Sequence, residues 1–181
     1  VCPSDLGFDA FDHWVRDPVD PRPLAWFRSW LGLLSLVNLV LLWPDMPMWL
    51  GNEGVLPPDV HRGMVDGSRV SVYLVTGYGD AAIGLIRGLA LLGGLGLWLG
   101  IFPRCAAACA WLAVVSYSWR NMNILHSGDN LIRIGTFFLI FARSDGGLSL
   151  PRAVYRRLSG RSDREPAAPI GAVPAWPQRI L

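Results

Sequence analysis

Between residues 120 and 133 the chain reads Arg120-Asn121-Met122-Asn123-Ile124-Leu125-His126-Ser127-Gly128-Asp129-Asn130-Leu131-Ile132-Arg133, which gathers an imidazole, a carboxylate, two guanidiniums and three amides. His126, with an ordinary pKa of about 6.5, suits general acid–base work near neutral pH. Asp129 and Arg133 stand four residues apart, so on a helix they share a face and can pair. Ionisable groups flanked by apolar runs are costly at membrane depth unless compensated, and for that reason they mark candidate sites. His126, Asp129 and Arg133 are therefore the candidate catalytic groups, with Asn121, Asn123 and Asn130 as candidate substrate-binding amides. The same residues also read as structure: Asp129 can cap a helix and neutralise an arginine that merely orients it, and a lone loop histidine is commonly just solvated.

Other chemistries are poorly supplied. Cys2, Cys105 and Cys109 have neither the count nor the spacing of a disulfide framework, and no paired Cys/His cluster indicates a metal site. Cys105 and Cys109 lie one helical turn apart among alanines, where thiols behave as small hydrophobes. All sixteen basic residues are Arg and none is Lys, against fourteen acidic ones, for a net charge of +2. Lysine-based chemistry is thus excluded within these residues, and the even balance is not that of a polybasic nucleic-acid binder. No GxSxG, HExxH or Walker loop is present.

The groups at 120–133 must be positioned by elements that are almost wholly apolar. The 181 residues are 52% hydrophobic and 17% charged, with nine Trp. Residues 24–43 supply twenty positions with Arg28 as the sole charge, about the length that crosses ~30 Å of hydrocarbon as a helix. Residues 81–102 and 105–120 predict a second and third span, separated by Pro103 and Arg104. Residues 129–142 predict a fourth, which at that length crosses only by recruiting polar neighbours, tilting or thinning the bilayer. The predicted fold class is all-α: a polytopic transmembrane helical bundle of about four spans plus the start of a fifth. Gly84-x-x-x-Gly88 and Gly96-x-x-x-Gly100 are expected to let backbones approach, and Asn38 to hydrogen-bond across helices. The alternative, a soluble bundle of buried helices, would need a polar shell that the remaining residues are too few to form.

Three segments organise the chain. Residues 1–23 form an acidic, proline-punctuated leader without the basic start of a signal peptide, in which Phe8, Phe11, Trp14 and Val15 recur at helical spacing. Residues 24–142 carry the spans, with a loop over 44–80 that includes a short helix around 58–67. Residues 143–181 are an Arg-rich stretch and a Pro/Ala linker that ends like the start of a further helix. With the N-terminus inside, Arg16, Arg22, Arg28, Arg104, Arg143, Arg152, Arg156, Arg157, Arg161, Arg164 and Arg179 fall on the cytoplasmic side, against Arg62, Arg69, Arg87, Arg120 and Arg133 elsewhere. This predicts a plasma (inner) membrane protein, cytoplasmic N-terminus, with 44–80 and 121–130 on the extracytoplasmic face. Ala, Gly and Arg richness without Lys points to a bacterial source.

The order of motifs resembles the horizontally transferred transmembrane (HTTM) domain family, which is similar to vitamin K-dependent gamma-carboxylase. Asp20-Pro21-Arg22-Pro23-Leu24-Ala25-Trp26-Phe27-Arg28 resembles the family's entry to its first span, and Asn52-Glu53-Gly54-Val55-Leu56-Pro57 its following loop. Arg120-Asn121 with Ser127-Gly128-Asp129-Asn130-Leu131-Ile132-Arg133 resembles the turn that bacterial members write R-N, then G-G-D-N-L-L-R. Phe138 to Phe141 with Leu148-Ser149-Leu150 resembles the next stretch, and Ala175 to Leu181 the lead into the following helix. The match covers roughly residues 14 to 181, the N-terminal portion of such a protein.

What the resemblance implies is a membrane modification enzyme. Carboxylase members deprotonate reduced vitamin K with a lysine on the following helix; the oxygenated quinol then removes a glutamate gamma-proton, and the carbanion captures carbon dioxide. His126-Ser127 resembles part of the carboxylase N-H-S turn, with Leu125 in place of the Asn. On this reading the cofactor is reduced vitamin K or another quinol, the partners are the lipid bilayer and an extracytoplasmic peptide substrate, and this chain alone is inactive because it is a fragment. The rival is a non-catalytic membrane partner, such as a bacteriocin-immunity or secretion accessory protein.

Overall fold

A computed structural model describes residues 22–64, 70–121 and 126–142. All regular structure there is helical: α1 (Arg22–Leu42), α2 (Met46–Leu50), α3 (Pro58–Met64), α4 (Tyr73–Thr76), α5 (Asp80–Leu99), α6 (Pro103–Arg120) and α7 (Ser127–Phe141). The expected leader, the Arg-rich stretch and the start of a further helix lie outside the described residues, apart from Arg22 and Pro23 at the start of α1.

The long helices follow the apolar runs because each run ends at residues that cannot continue it. Gly100 closes α5 in the left-handed conformation (φ 73°), which lacks a Cβ penalty only for glycine, and its N–H bonds back to Gly96. Pro103 then opens α6 in the first turn, where a missing N–H costs nothing. The result is a tight antiparallel pair. α5 packs on both α1 and α6, and α7 closes against α6 with a lighter contact to α1. Gly93 permits a close approach of α5 to α6, since a Cβ there would come within 2.5 Å of the Ala110 backbone N. Gly96 is likewise pressed against Ala106, whereas Gly84 and Gly88 face open space and take no part in packing. The first of the two expected glycine motifs is therefore unused within this bundle.

Two of the four expected spans have the length and composition to cross a bilayer by themselves, α1 and α5. α6 contains Arg104 and Arg120 with Ser116, Tyr117 and Ser118, and among the described residues it does not qualify. At 1.5 Å per residue the fifteen residues of α7 reach only about 22 Å. The short helices α2, α3 and α4 cover one end of the bundle: Val72 N–H donates to Ser116 Oγ at 2.9 Å, and Arg120 donates to the carbonyls of Gly51 and Leu56. That end is the cap.

Candidate functional site

Asp129 sits at the third position of α7, 6% exposed, with a carboxylate held by three donors. Oδ2 accepts from the His126 backbone N–H at 3.0 Å, the reciprocal bond of a helix N-terminus. Oδ1 accepts from the Tyr117 hydroxyl and from Asn38 Nδ2, each at 2.7 Å. Asn38 Nδ2 also donates to the Tyr117 oxygen at 2.9 Å, so α1, α6 and α7 are tied by a closed triangle of polar groups. The amide orientation follows from the acceptors, because turning the Asn38 carbonyl toward Asp129 would oppose two lone pairs. Asn38 thus bridges helices as its place in an apolar span suggested.

Arg133, the partner expected from helical spacing, forms no ion pair with Asp129; it lies half-buried one turn along α7. The carboxylate's needs are met by groups twelve and ninety-one residues away. Of the other expected site residues, His126 is exposed at the start of α7, Asn130 is half-buried, and Asn121 is 1% exposed at the end of α6. Asn123 lies outside the described residues. The structure therefore brings Asp129 together with Asn38 and Tyr117, and does not gather the six expected residues around one point.

Beside the triangle runs a cleft of about 330 Å³, part of it open to the outside. Leu39, Val114 and Ile132 line it, and Ser35, Asn38 and Tyr117 supply its few polar atoms. Its enclosed part is only of the size that holds water. Chemically the arrangement is a carboxylate supplied with donors from α1, α6 and the start of α7.

A second cluster lies in the cap, and nothing in the sequence singled it out. His61 is 2% exposed and faces Tyr78 and Trp119. Its Nε2 is 3.0 Å from the Trp119 carbonyl, which can only accept, so Nε2 carries the proton. Nδ1 lies 3.0 Å from the Tyr78 hydroxyl, which can give or accept a hydrogen bond. The Tyr78 ring stacks on Tyr73, with centroids 5.4 Å apart, and meets the guanidiniums of Arg62 and Arg120, each 5.1 Å from its centroid. Burial pushes the Tyr73 phenol well above its ordinary 10.0, against the opposing pull of Arg120. A histidine and two tyrosines scattered through the sequence carry no spacing signal, so only the fold reveals them as neighbours.

Among the described residues no group of three or more His, Cys, Asp or Glu could hold a metal ion. No family model, curated protein or solved structure matches the chain.

Proposed function

We propose that the chain is a multi-pass membrane protein of the HTTM type, with α1, α5, α6 and α7 crossing the inner membrane, a cytoplasmic N-terminus and the cap on the extracytoplasmic face. One observation carries this reading: the polarity of the bundle is inverted. Arg28, Arg120, Asp129, Thr136 and Ser116 are buried, while Trp26, Trp30, Leu34, Val37 and Leu41 form an exposed stripe along α1. Leu92, Leu95 and Trp98 on α5 and Leu131, Ile134, Phe137 and Phe141 on α7 extend it around the bundle. Water does not tolerate so continuous an apolar belt, and hydrocarbon does. α6 and α7 cross as members of the bundle, with their polar groups turned inward, which is why hydropathy alone does not mark them.

The resemblance gains support from one contact. Arg120, from the R-N motif, bonds the carbonyls of Gly51 and Leu56, beside and inside the Asn52 to Pro57 motif, so two stretches that carry the likeness meet in the cap. Reduced vitamin K does not fit the described residues. The enclosed cleft is of water size, the 181 residues contain no lysine, and Asp129 is occupied by three donors. No step through a quinol is derived, and the function favoured is that of a membrane scaffold that presents its cap to an extracytoplasmic peptide partner.

Single cysteines introduced at Ser68, Ser127 and Ser159, in a background with Cys2, Cys105 and Cys109 replaced, test the topology. Ser68 and Ser127 positions should react with an impermeant thiol reagent in intact cells, and Ser159 should not. The opposite pattern overturns the orientation. The catalytic reading is tested with reduced vitamin K, oxygen, labelled bicarbonate and a glutamate peptide: incorporation above a His126→Ala control would displace the scaffold reading.

A further inference from the structure

Arg87 lies seven residues into α5, about 10 Å from the start of that helix, and is only half-buried. Its guanidinium is held in a fixed pose at the bundle surface. Nη2 donates to the Trp43 carbonyl at 2.7 Å, and the group lies over the Trp43 ring, 4.5 Å from its centroid. Trp43, just past the end of α1, is itself 40% exposed. Nη1 remains at the surface and bonds nothing among the described residues. No carboxylate there is within ion-pair distance of Arg87, and Asp45 and Asp80, the acidic residues nearest in sequence to Trp43 and Arg87, are not paired with it. Room beside the guanidinium is visible on α5 itself. Gly84 and Gly88 stand three residues before Arg87 and one after, and a Cβ at either would meet nothing within 4 Å beyond its own chain neighbours. They leave a bare strip of helix surface that continues onto the exposed Leu91 and Leu92.

We infer that this place binds an anionic phospholipid, whose phosphate accepts from Arg87 Nη1 while an acyl chain lies along the Gly84–Gly88 strip onto Leu91 and Leu92. The inference rests on the membrane reading above. At that depth a long arginine side chain reaches the polar boundary of the bilayer, and a tryptophan beside it is the usual residue of that boundary. Guanidinium suits a phosphate because it offers charge and donors together, and stacking on Trp43 fixes its plane before the ligand arrives. A lipid is favoured over free phosphate by the surface around the donor. Free phosphate would meet one guanidinium edge and leave the strip and its leucines bare, whereas a lipid covers both. A helix packed on the glycines would fill the strip and leave Nη1 without an acceptor. The lipid is anionic because the phosphate of a zwitterionic one already has its own ammonium group nearby.

The test is thermal unfolding of the purified full chain in an uncharged detergent, titrated with phosphatidylglycerol, with phosphatidylcholine of the same chain length, and with glycerol 3-phosphate. Phosphatidylglycerol is expected to raise Tm saturably, phosphatidylcholine to act only at higher mole fraction, and glycerol 3-phosphate to have no effect at constant ionic strength. In Arg87→Gln the half-saturating mole fraction of phosphatidylglycerol should rise about tenfold or more, the effect of losing one hydrogen bond between charged groups. Arg87→Lys, which keeps the charge and loses the planar fork, should fall between that variant and the parent. Gly88→Leu fills the strip in open space without touching the guanidinium, and should weaken the lipid severalfold. The inference fails if glycerol 3-phosphate stabilises as well as the lipid, if the two lipids titrate alike, or if Arg87→Gln or Gly88→Leu responds as the parent does. A chain that stays dispersed without detergent sinks the membrane reading as well, whereas a detergent-dependent chain indifferent to phosphatidylglycerol sinks this inference alone.

Discussion

Tyr117 and Tyr73 are both buried tyrosines beside a buried charge, and they stand in opposite situations. The Tyr117 hydroxyl both gives and receives, binding Asp129 and accepting from Asn38, in a triangle where every donor meets an acceptor. The Tyr73 hydroxyl has no hydrogen-bond partner among the described residues, and neither do Nε and Nη1 of Arg120. Tyr117 and Arg120 stand only three positions apart on α6, yet one belongs to a satisfied network and the other to a donor-rich one. The lesson is that burial says little until donors and acceptors are counted: the first region is a tie that holds three helices, the second a set of buried donors not matched by acceptors among the described residues.

The largest effect expected from this contrast comes from removing the acceptor of the tie. Asp129→Ala strands the Tyr117 hydroxyl, the Asn38 amide and the His126 N–H, and should cost roughly 3 to 5 kcal/mol in unfolding from mixed micelles. A loss below about 1 kcal/mol would mean that the triangle does not hold the helices. Next come the paired tyrosines. Tyr117→Phe gives up a hydrogen bond to a carboxylate and should cost about 1.5 to 3 kcal/mol, while Tyr73→Phe should stay within ~0.5 kcal/mol of the parent. Equal losses at the two positions would erase the comparison.

A smaller effect distinguishes the observed partners of Asp129 from the one that helical spacing implied. Because no ion pair joins Asp129 and Arg133, Asp129→Asn and Arg133→Leu should combine additively, with a coupling within about 0.5 kcal/mol. A markedly milder double variant would restore the pair. The smallest effect is alkaline. The folded-state pKa of Tyr73 is raised, so its contribution is constant below the ordinary phenol value of 10.0, and stability falls above it as the unfolded chain ionises first. Stability measured from pH 9 to 11 should decline less steeply in Tyr73→Phe than in the parent.

The positions of the long helices were legible in the sequence. Apolar runs over 24–43, 81–102, 105–120 and 129–142 correspond to helices at Arg22–Leu42, Asp80–Leu99, Pro103–Arg120 and Ser127–Phe141. Local chemistry suffices for that: a run of apolar residues without breakers favours a helix, and Gly100 and Pro103 end one and begin the next through their own backbone preferences. The short helix of the loop was legible in the same way, over Pro58–Met64. Spacing also marked Asp129 as a residue that needs compensation.

Tertiary structure decided what compensates it. Spacing along one helix offered Arg133, but the rotation of α7 is set by packing against α6 and α1, and that rotation turns the carboxylate toward Tyr117 and Asn38. The same holds for the cap, where Arg120 is enclosed by carbonyls sixty-four and sixty-nine residues away and His61 meets Trp119 across fifty-eight. Such contacts leave no periodic trace, because they join single residues from elements whose relative placement depends on every other contact in the bundle. Helix-forming tendency is a property of neighbours in sequence, whereas the balance of donors, acceptors and charge around a buried group exists only once distant segments have been brought together.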